Sequence, residues 1–184
     1  MKTQLSLSLL SICLCLANIS TAQTKTINGR NYKITFEKPA QWTQLSKDSY
    51  LYDEMYYEAV PNNEKRSEET YIKMLGNDFA VFQPLDIFIK ELHDEMKQNH
   101  QVTKTQKLDL KQVNFAKNSY LTGNFKAYTY QLKSGRKYCI LYIECKETII
   151  EVAFSGSNES IFNKHYKAVE KLVRSLKVEA RAGK

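Results

Sequence analysis

The sequence predicts an α+β fold in which two helices pack on a twisted, mostly antiparallel β-sheet. Residues 136–145 and 148–154 are rich in β-branched and aromatic side chains and alternate in character, as strands do. Apolar residues recur at helical spacing in two other places, after Pro84 and after Asn158. Strand-like segments fill most of the remaining chain, so the sheet is the larger part of the predicted fold.

The central element is a hairpin formed by the two β-rich runs. If residues 146–147 form its turn, Ile143 faces Ile150 and Leu141 faces Val152. A slip of one residue would scatter the apolar side chains over both faces. We therefore expect one face of this hairpin, directed at the helices, to carry Cys139, Leu141, Ile143, Ile150, Val152 and Phe154.

The turn that precedes this hairpin, at residues 133–135, allows two registers. A two-residue turn would place Tyr128 and Tyr130 on the same face as Leu141, whereas a three-residue turn would place them beside Tyr138. Lys-Ser suits a type I turn, and the following glycine suits the left-handed region. We favour the three-residue turn.

The first helix is predicted over residues 84–98, with Pro84 at its start. Its apolar stripe is Leu85, Phe88, Ile89, Leu92 and Met96. The second helix is predicted over residues 159–175, with Ser157 or Asn158 as its cap. Its stripe is Ile161, Phe162, Tyr166, Val169, Leu172 and Val173.

Shorter segments predict the remaining strands. Asn28-Gly29 is a favoured hairpin turn between two extended runs. Further strands are expected within residues 49–60, 71–75 (followed by a turn at 76–78), 107–113 and 118–132. Gly123 predicts a bulge in the last of these, and the tail from Glu179 onward is expected to fray.

The first 22 residues have the pattern of a secretory signal peptide. Lys2 precedes an apolar segment, and small residues up to Ala22 precede a cleavage site before Gln23. We therefore predict an exported protein, periplasmic or secreted, with no transmembrane segment after cleavage. Residues 23–184 are predicted to form one domain.

The charge pattern limits the kinds of partner. Removal of residues 1–22, whose only charged side chain is Lys2, lowers the formal net charge from +7 to +6. Such a charge favours an acidic protein or a phospholipid surface. Positive residues are interleaved with acids and form no run of five, so we do not expect nucleic acid binding. We expect a monomer with a protein partner.

Two cysteines follow the signal peptide, Cys139 and Cys145. On one strand they lie about 20 Å apart. A disulfide requires Cα atoms within about 7 Å, so we predict two buried thiols.

The sequence contains few candidates for catalysis. His93 and His100 lie about 10 Å apart along a helix and do not match a zinc motif, so His93, His100 and His165 are predicted at the surface or rim. Residues 155–157 lack the nucleophile elbow, and a helix cap explains their serines. We predict no metal, no cofactor and no enzyme activity.

Two glutamates form a possible carboxylate pair. Glu144 and Glu151 would be diagonal neighbours on the second face of the hairpin. We expect ion pairing with Lys126 and Lys137 rather than catalysis.

Two sets of residues are candidates for binding. Lys164, Lys167, Lys171 and Arg174 lie at spacings of 3, 4 and 3, opposite the apolar stripe of the last helix. Such a stripe is as a rule solvated surface, but it could dock an acidic partner. The second set is aromatic: Trp42, Tyr138 and Tyr142 could line a pocket for a small ligand. The other interpretation of Trp42 is that it belongs to the core.

The order of these elements resembles the PsbP-like family. The resemblance covers residues 30–178 and rests on Pro39-x-x-Trp42, on Ile150 to Phe154, on Phe162-x-x-x-Tyr166 and on Val173-x-Ser175-Leu176. It implies an α/β/α sandwich and a non-enzymatic accessory or binding role, and the chain looks most like the exported bacterial members. The alternatives are a small-ligand carrier and an unrecognised hydrolase.

Overall fold

The computed structural model describes residues 23–45, 56–62, 70–78, 83–99, 101–109 and 120–181. Within these ranges the protein has ten strands and two helices. In chain order the elements are β1 (Gln23–Asn28), β2 (Tyr32–Lys38), β3 (Trp42–Gln44), β4 (Tyr56–Pro61), β5 (Tyr71–Asp78), α1 (Leu85–Asn99), β6 (Val102–Leu108), β7 (Leu121–Leu132), β8 (Lys137–Cys145), β9 (Thr148–Gly156), α2 (Glu159–Ser175) and β10 (Lys177–Ala180). The predicted signal peptide lies outside the described residues.

The strands form two antiparallel sheets. Seven strands are ordered β3-β4-β5-β9-β8-β7-β6, and three are ordered β1-β2-β10. Helix α2 and the small sheet enclose one core against the large sheet, which we call the α2-side core. Helix α1 encloses a second core on the opposite face, the α1-side core. The predicted α+β class is confirmed.

The β8–β9 hairpin has the predicted register. Ile143 pairs with Ile150 and Leu141 with Val152, and the six apolar residues of that face all belong to the α2-side core or pack against it. The expectation that they face both helices was wrong. Helix α1 packs on the other face, where Ile140 is buried, because central strands are apolar on both sides.

The turn before this hairpin has three residues, as predicted. Tyr130 pairs with Tyr138, and Gly135 has a φ of 90°. The Leu132 N–H donates to the carbonyl oxygen of Arg136 at 2.9 Å. Tyr128 and Tyr130 therefore face the α1-side core, on the opposite face from Leu141.

The first hairpin exists, but its turn lies at residues 30–31 rather than at Asn28-Gly29. Gly29 pairs with Tyr32 through a 2.9 Å backbone hydrogen bond. A Cβ at Gly29 would lie 2.3 Å from the Tyr32 ring, so this glycine makes room for the ring. Burial of Tyr32, Ile34 and Phe36 sets the register, which turn preference alone did not show.

Two segments predicted as irregular belong to strands. Residues 76–78 do not turn; they extend β5, and Gly76 pairs with Ile150 of β9. At the other end of the chain, Glu179 and Ala180 are part of β10, which pairs with β2. Val178 is 2% exposed, and burial of this side chain holds the tail against β2 instead of letting it fray. Gly123 lies at the predicted bulge of β7.

The cysteines are thiols, as predicted, but Cys145 is buried whereas Cys139 is only half-buried. Cys139 and Cys145 are not joined by a disulfide. Burial raises the pKa of Cys139 to about 12, so its reactive thiolate is scarce at neutral pH.

A hydrogen-bonded chain joins α1 to the sheet. His93 Nε2 lies 2.7 Å from the Tyr130 hydroxyl, which lies 3.3 Å from the Tyr142 hydroxyl. The His93 ring also meets the Tyr128 ring edge-on, with centroids 4.7 Å apart. His93 thus lies at the rim of the α1-side core, whereas His165 packs on Trp42, and His100 lies outside the described residues.

Trp42 and Phe162 are core residues, with 2% and 3% exposed surface. We expect Trp42→Ala or Phe162→Ala to lower the free energy of unfolding by about 3–5 kcal/mol, because each change leaves a cavity. Chemical denaturation should measure this loss, with truncation of the exposed Ile87 as a control within about 0.5 kcal/mol. A small loss at Trp42 would contradict its role in the core.

The His93 contact predicts pH-dependent stability. Burial lowers the pKa of His93 below its ordinary 6.5; Lys97 lowers it further, while Asp94 opposes this. The unfolded chain therefore binds the proton more tightly, and stability should fall as the pH drops through about 6.5, by at most about 1.4 kcal/mol per pH unit. His93→Gln should flatten this slope in urea unfolding measured at several pH values. Equal slopes for the two proteins would contradict the assignment.

Candidate functional site

Helix α2 is positioned by its cap and by its apolar side. The Asn158 side chain accepts a hydrogen bond from the Ile161 N–H at 3.0 Å, which satisfies one of the exposed donors at the helix start. Phe162, Val169 and Leu172 are buried in the α2-side core. The opposite side of the helix therefore faces outward.

The predicted basic residues lie together on this outward side. Lys164, Lys167, Lys171 and Arg174 are all exposed. At 3.6 residues per turn they fall within roughly 80° of the helix circumference, and we call them the cationic face. The two acidic residues of α2, Glu170 and Glu159, lie roughly 40° and 60° beyond the Arg174 edge of this arc.

Two members of the cationic face form ion pairs at the surface. Lys171 Nζ lies 3.3 Å from Glu37 Oε2, on β2. Arg174 Nη2 lies 2.6 Å from Glu170 Oε1, one turn earlier in the helix. All four side chains are 42–70% exposed, so these pairs are in contact with solvent.

A groove of about 520 Å³ lies beside the N-terminal half of α2. Its walls come from α2 and from strands β6, β7 and β8. The residues that line it are Lys104, Gln106, Leu108, Thr129, Tyr130, Gln131, Lys137, Glu159, Phe162, Asn163 and Tyr166. None of the residues singled out for binding in the sequence lies among them, because the groove forms only where three strands and a helix meet.

Lys137 and Glu159 are the central charges of this groove. Lys137 Nζ lies 2.9 Å from Glu159 Oε1 and 4.9 Å from the centre of the Phe162 ring. The hydrogen bond and charge of Lys137 lower the pKa of Glu159, and Lys104 lowers it further. The charges of Lys137 and Lys104 therefore both favour the ionised form of Glu159.

The three aromatic candidates do not line a common pocket. Trp42 is in the α2-side core, where it meets the rings of Phe154 at 6.3 Å and His165 at 5.5 Å. Tyr142 is 0% exposed in the α1-side core, on the other face of the sheet. Tyr138 is half-buried and accepts a 2.9 Å hydrogen bond from Arg136 Nη1.

Glu144 caps helix α1 from the neighbouring sheet. Its Oε1 accepts from the Leu85 N–H at 3.1 Å, and its Oε2 accepts from Thr122 and Asn124, each at 2.7 Å. Burial alone would raise the pKa of Glu144, but these three donors outweigh it and lower the pKa. The sequence did not reveal this contact, because Glu144 and Leu85 are far apart in the chain.

Glu151 lies diagonally from Glu144, as predicted, but its environment differs. Burial raises its pKa, although Asn77 Nδ2 donates to Glu151 Oε1 at 2.5 Å and Lys73 also favours the charged form. The expected ion pairs of these glutamates are wrong. Lys126 pairs instead with Asp86, in the first turn of α1, and Lys137 pairs with Glu159, in the first turn of α2.

The serines that the sequence offered as candidates for catalysis belong to the sheet or to the start of α2. Ser155 is 0% exposed within β9, and Asn158 rather than Ser157 caps α2. No group of three or more His, Cys, Asp or Glu side chains in the described ranges could hold a metal ion. Neither helix of the described structure is long and apolar enough to cross a membrane.

No protein-family model matches the sequence, and no curated protein matches it. The fold, however, is similar to solved structures. The solution structure of cyanobacterial PsbP (CyanoP) from Synechocystis sp. PCC 6803 aligns with a TM-score of 0.50 at 10% identity, covering 89% of this chain and 96% of that one. The crystal structure of the Ran-binding protein Mog1p from Saccharomyces cerevisiae aligns with a TM-score of 0.45 at 12% identity, covering 85% and 96%. The likeness to CyanoP shows that the chain has the PsbP-like fold, as the sequence predicted.

Proposed function

We propose that this protein is a monomeric binding module that works by contact rather than by catalysis. Its cationic face would dock an acidic protein partner. The observation that carries this proposal is the grouping of Lys164, Lys167, Lys171 and Arg174 on the outward side of α2. The apolar side of α2 is buried against the sheet, so a partner would meet the charged side first.

The ion pairs on this face are weak enough for a carboxylate of the partner to replace the intramolecular acid. Lys171–Glu37 and Arg174–Glu170 are exposed pairs, and such pairs contribute about 0–1 kcal/mol each. A partner carboxylate can therefore replace the intramolecular acid at small cost. The net positive charge of the protein would also speed the encounter with an acidic surface.

The structural positions of the polar candidates support a role without catalysis. Glu144 caps α1, Asn77 holds Glu151, and His93 bonds to Tyr130. Each of these groups stabilises the contact between a helix and the sheet or between strands.

Charge reversal on the cationic face tests the proposal. Lys167→Glu with Lys171→Glu should weaken binding of a fluorescein-labelled hexaglutamate peptide and reduce the salt dependence of binding, mainly through a slower association rate. The matched control is Lys90→Glu with Lys97→Glu, which reverses two exposed lysines on α1. Fluorescence anisotropy and stopped-flow mixing would measure both effects.

Two results would contradict the proposal. Equal weakening by both double variants would show that net charge, not the cationic face, controls binding. A loss of unfolding free energy well above about 1 kcal/mol in the α2 variant would show that the two lysines hold the fold.

We further propose that the protein is exported and that residues 1–22 direct this export. The support is the basic start, the apolar segment and the small residues before Gln23. Mass spectrometry of the protein from its own cells should find Gln23 as the N-terminal residue, in the envelope or the medium. An intact Met1 or Lys2 terminus on protein in the cytoplasm would contradict this proposal.

A further inference from the structure

We infer that the groove beside α2 accepts one acidic side chain of the partner, and that Glu159 occupies the same place in the unbound protein. This inference rests on the proposed function and names the contact that would follow from it. The occupant is an aspartate or glutamate of an acidic segment that binds along the cationic face.

Lys137 is held in place at the groove by its surroundings. Its side chain is only 21% exposed, and its ammonium group lies 4.9 Å from the centre of the Phe162 ring. A cation over an aromatic face is attracted to it, which holds the lysine in place without a carboxylate. Lys137 is therefore preorganised to receive an anion.

Lys104 supplies the second positive charge. It lines the same groove from β6, and it favours the charged form of Glu159 together with Lys137. Lys137 thus contacts the carboxylate directly, and Lys104 adds a second positive charge to the same groove from another strand. A carboxylate of the partner would find both charges already in place.

Glu159 is the present occupant and is easily displaced. Its side chain is 68% exposed, and it belongs to the first turn of α2. Exposed ion pairs change an equilibrium constant by about fivefold at most, so a competing carboxylate needs little advantage. Glu159 therefore acts as a weak intramolecular competitor.

The size and lining of the groove suit an acidic side chain. Its volume of about 520 Å³ leaves room for one acidic side chain together with adjoining parts of the segment that carries it. The half-buried ring of Tyr166, which stacks on the buried Phe162 ring at 5.4 Å, offers apolar surface for the methylene groups. Gln106 and Asn163 offer amide groups for hydrogen bonds.

The groove also adjoins the cationic face. Asn163 lines the groove and lies one helical turn before Lys167 on the same side of α2. A segment with several carboxylates can therefore contact the face and place one carboxylate on Lys137. A segment that carries several carboxylates therefore suits both the groove and the cationic face.

The test compares two matched ion pairs. Lys137–Glu159 and Lys126–Asp86 each join a half-buried strand lysine to an acid in the first turn of a helix. Only the first pair lies in the groove. Glu159→Gln and Asp86→Asn therefore each remove one negative charge from the first turn of a helix, inside and outside the proposed site.

Binding of fluorescein-labelled hexaglutamate is measured by anisotropy at low salt, after circular dichroism shows equal folding. We expect Glu159→Gln to tighten binding by about twofold to fivefold, because the competitor is lost. Asp86→Asn should change it much less.

Lys137→Met should weaken binding by about fivefold, and Lys126→Met should not. Backbone amide signals of Thr129 and Asn163 should shift during titration of the wild-type protein.

Several results would overturn the inference. Equal effects of Glu159→Gln and Asp86→Asn, or of Lys137→Met and Lys126→Met, would show that the groove has no special role. If Lys167→Glu with Lys171→Glu still weakens binding in that case, the proposed docking face stands and only the groove contact fails. Failure of hexaglutamate to bind the wild-type protein would overturn both. Competition by free glutarate as strong as that of the peptide would assign the groove to small dicarboxylates instead.

Discussion

The pairing of β8 with β9 is the interaction on which the rest of the structure depends. These strands are central in the large sheet and are buried on both faces. Along each strand, successive side chains therefore alternate between the α1-side core and the α2-side core. A slip of one residue would exchange the sets and would bring the Tyr142 hydroxyl into the α2-side core, away from Tyr130. Apolar patterning thus fixes the register and, through it, the positions of both helices.

The two helices are attached by different chemistry. Both helices bury an apolar stripe, and helix α1 is also tied to the sheet by polar contacts, through Glu144 at its first turn and His93 further along. Such buried hydrogen bonds are costly to leave unsatisfied, so they specify one position for α1. Helix α2 is held mainly by Phe162, Val169 and Leu172, and its charges stay at the surface. This division leaves the polar side of α2 available for contact with another molecule.

The sequence predicted those parts of the fold in which neighbouring residues carry the signal. The β8–β9 register, the turn with Gly135 and both apolar stripes follow from alternation, turn preference and helical spacing. The turn of the first hairpin was misplaced because burial of Tyr32 outweighs the preference of Asn-Gly. The groove could not be predicted, because Lys104, Lys137 and Glu159 come from separate elements and meet only in three dimensions. The cationic face was visible in the sequence as a helical spacing.

The place of β2 between β1 and β10 affects how the chain reaches its folded state. Tyr32 pairs with Ala180, so the small sheet joins the beginning of the described chain to its end. Contacts over such long sequence separations form late and slow the folding rate. During synthesis on the ribosome, β2 can pair with β10 only after residues 177–180 have emerged, so the Val178 side chain joins the α2-side core late.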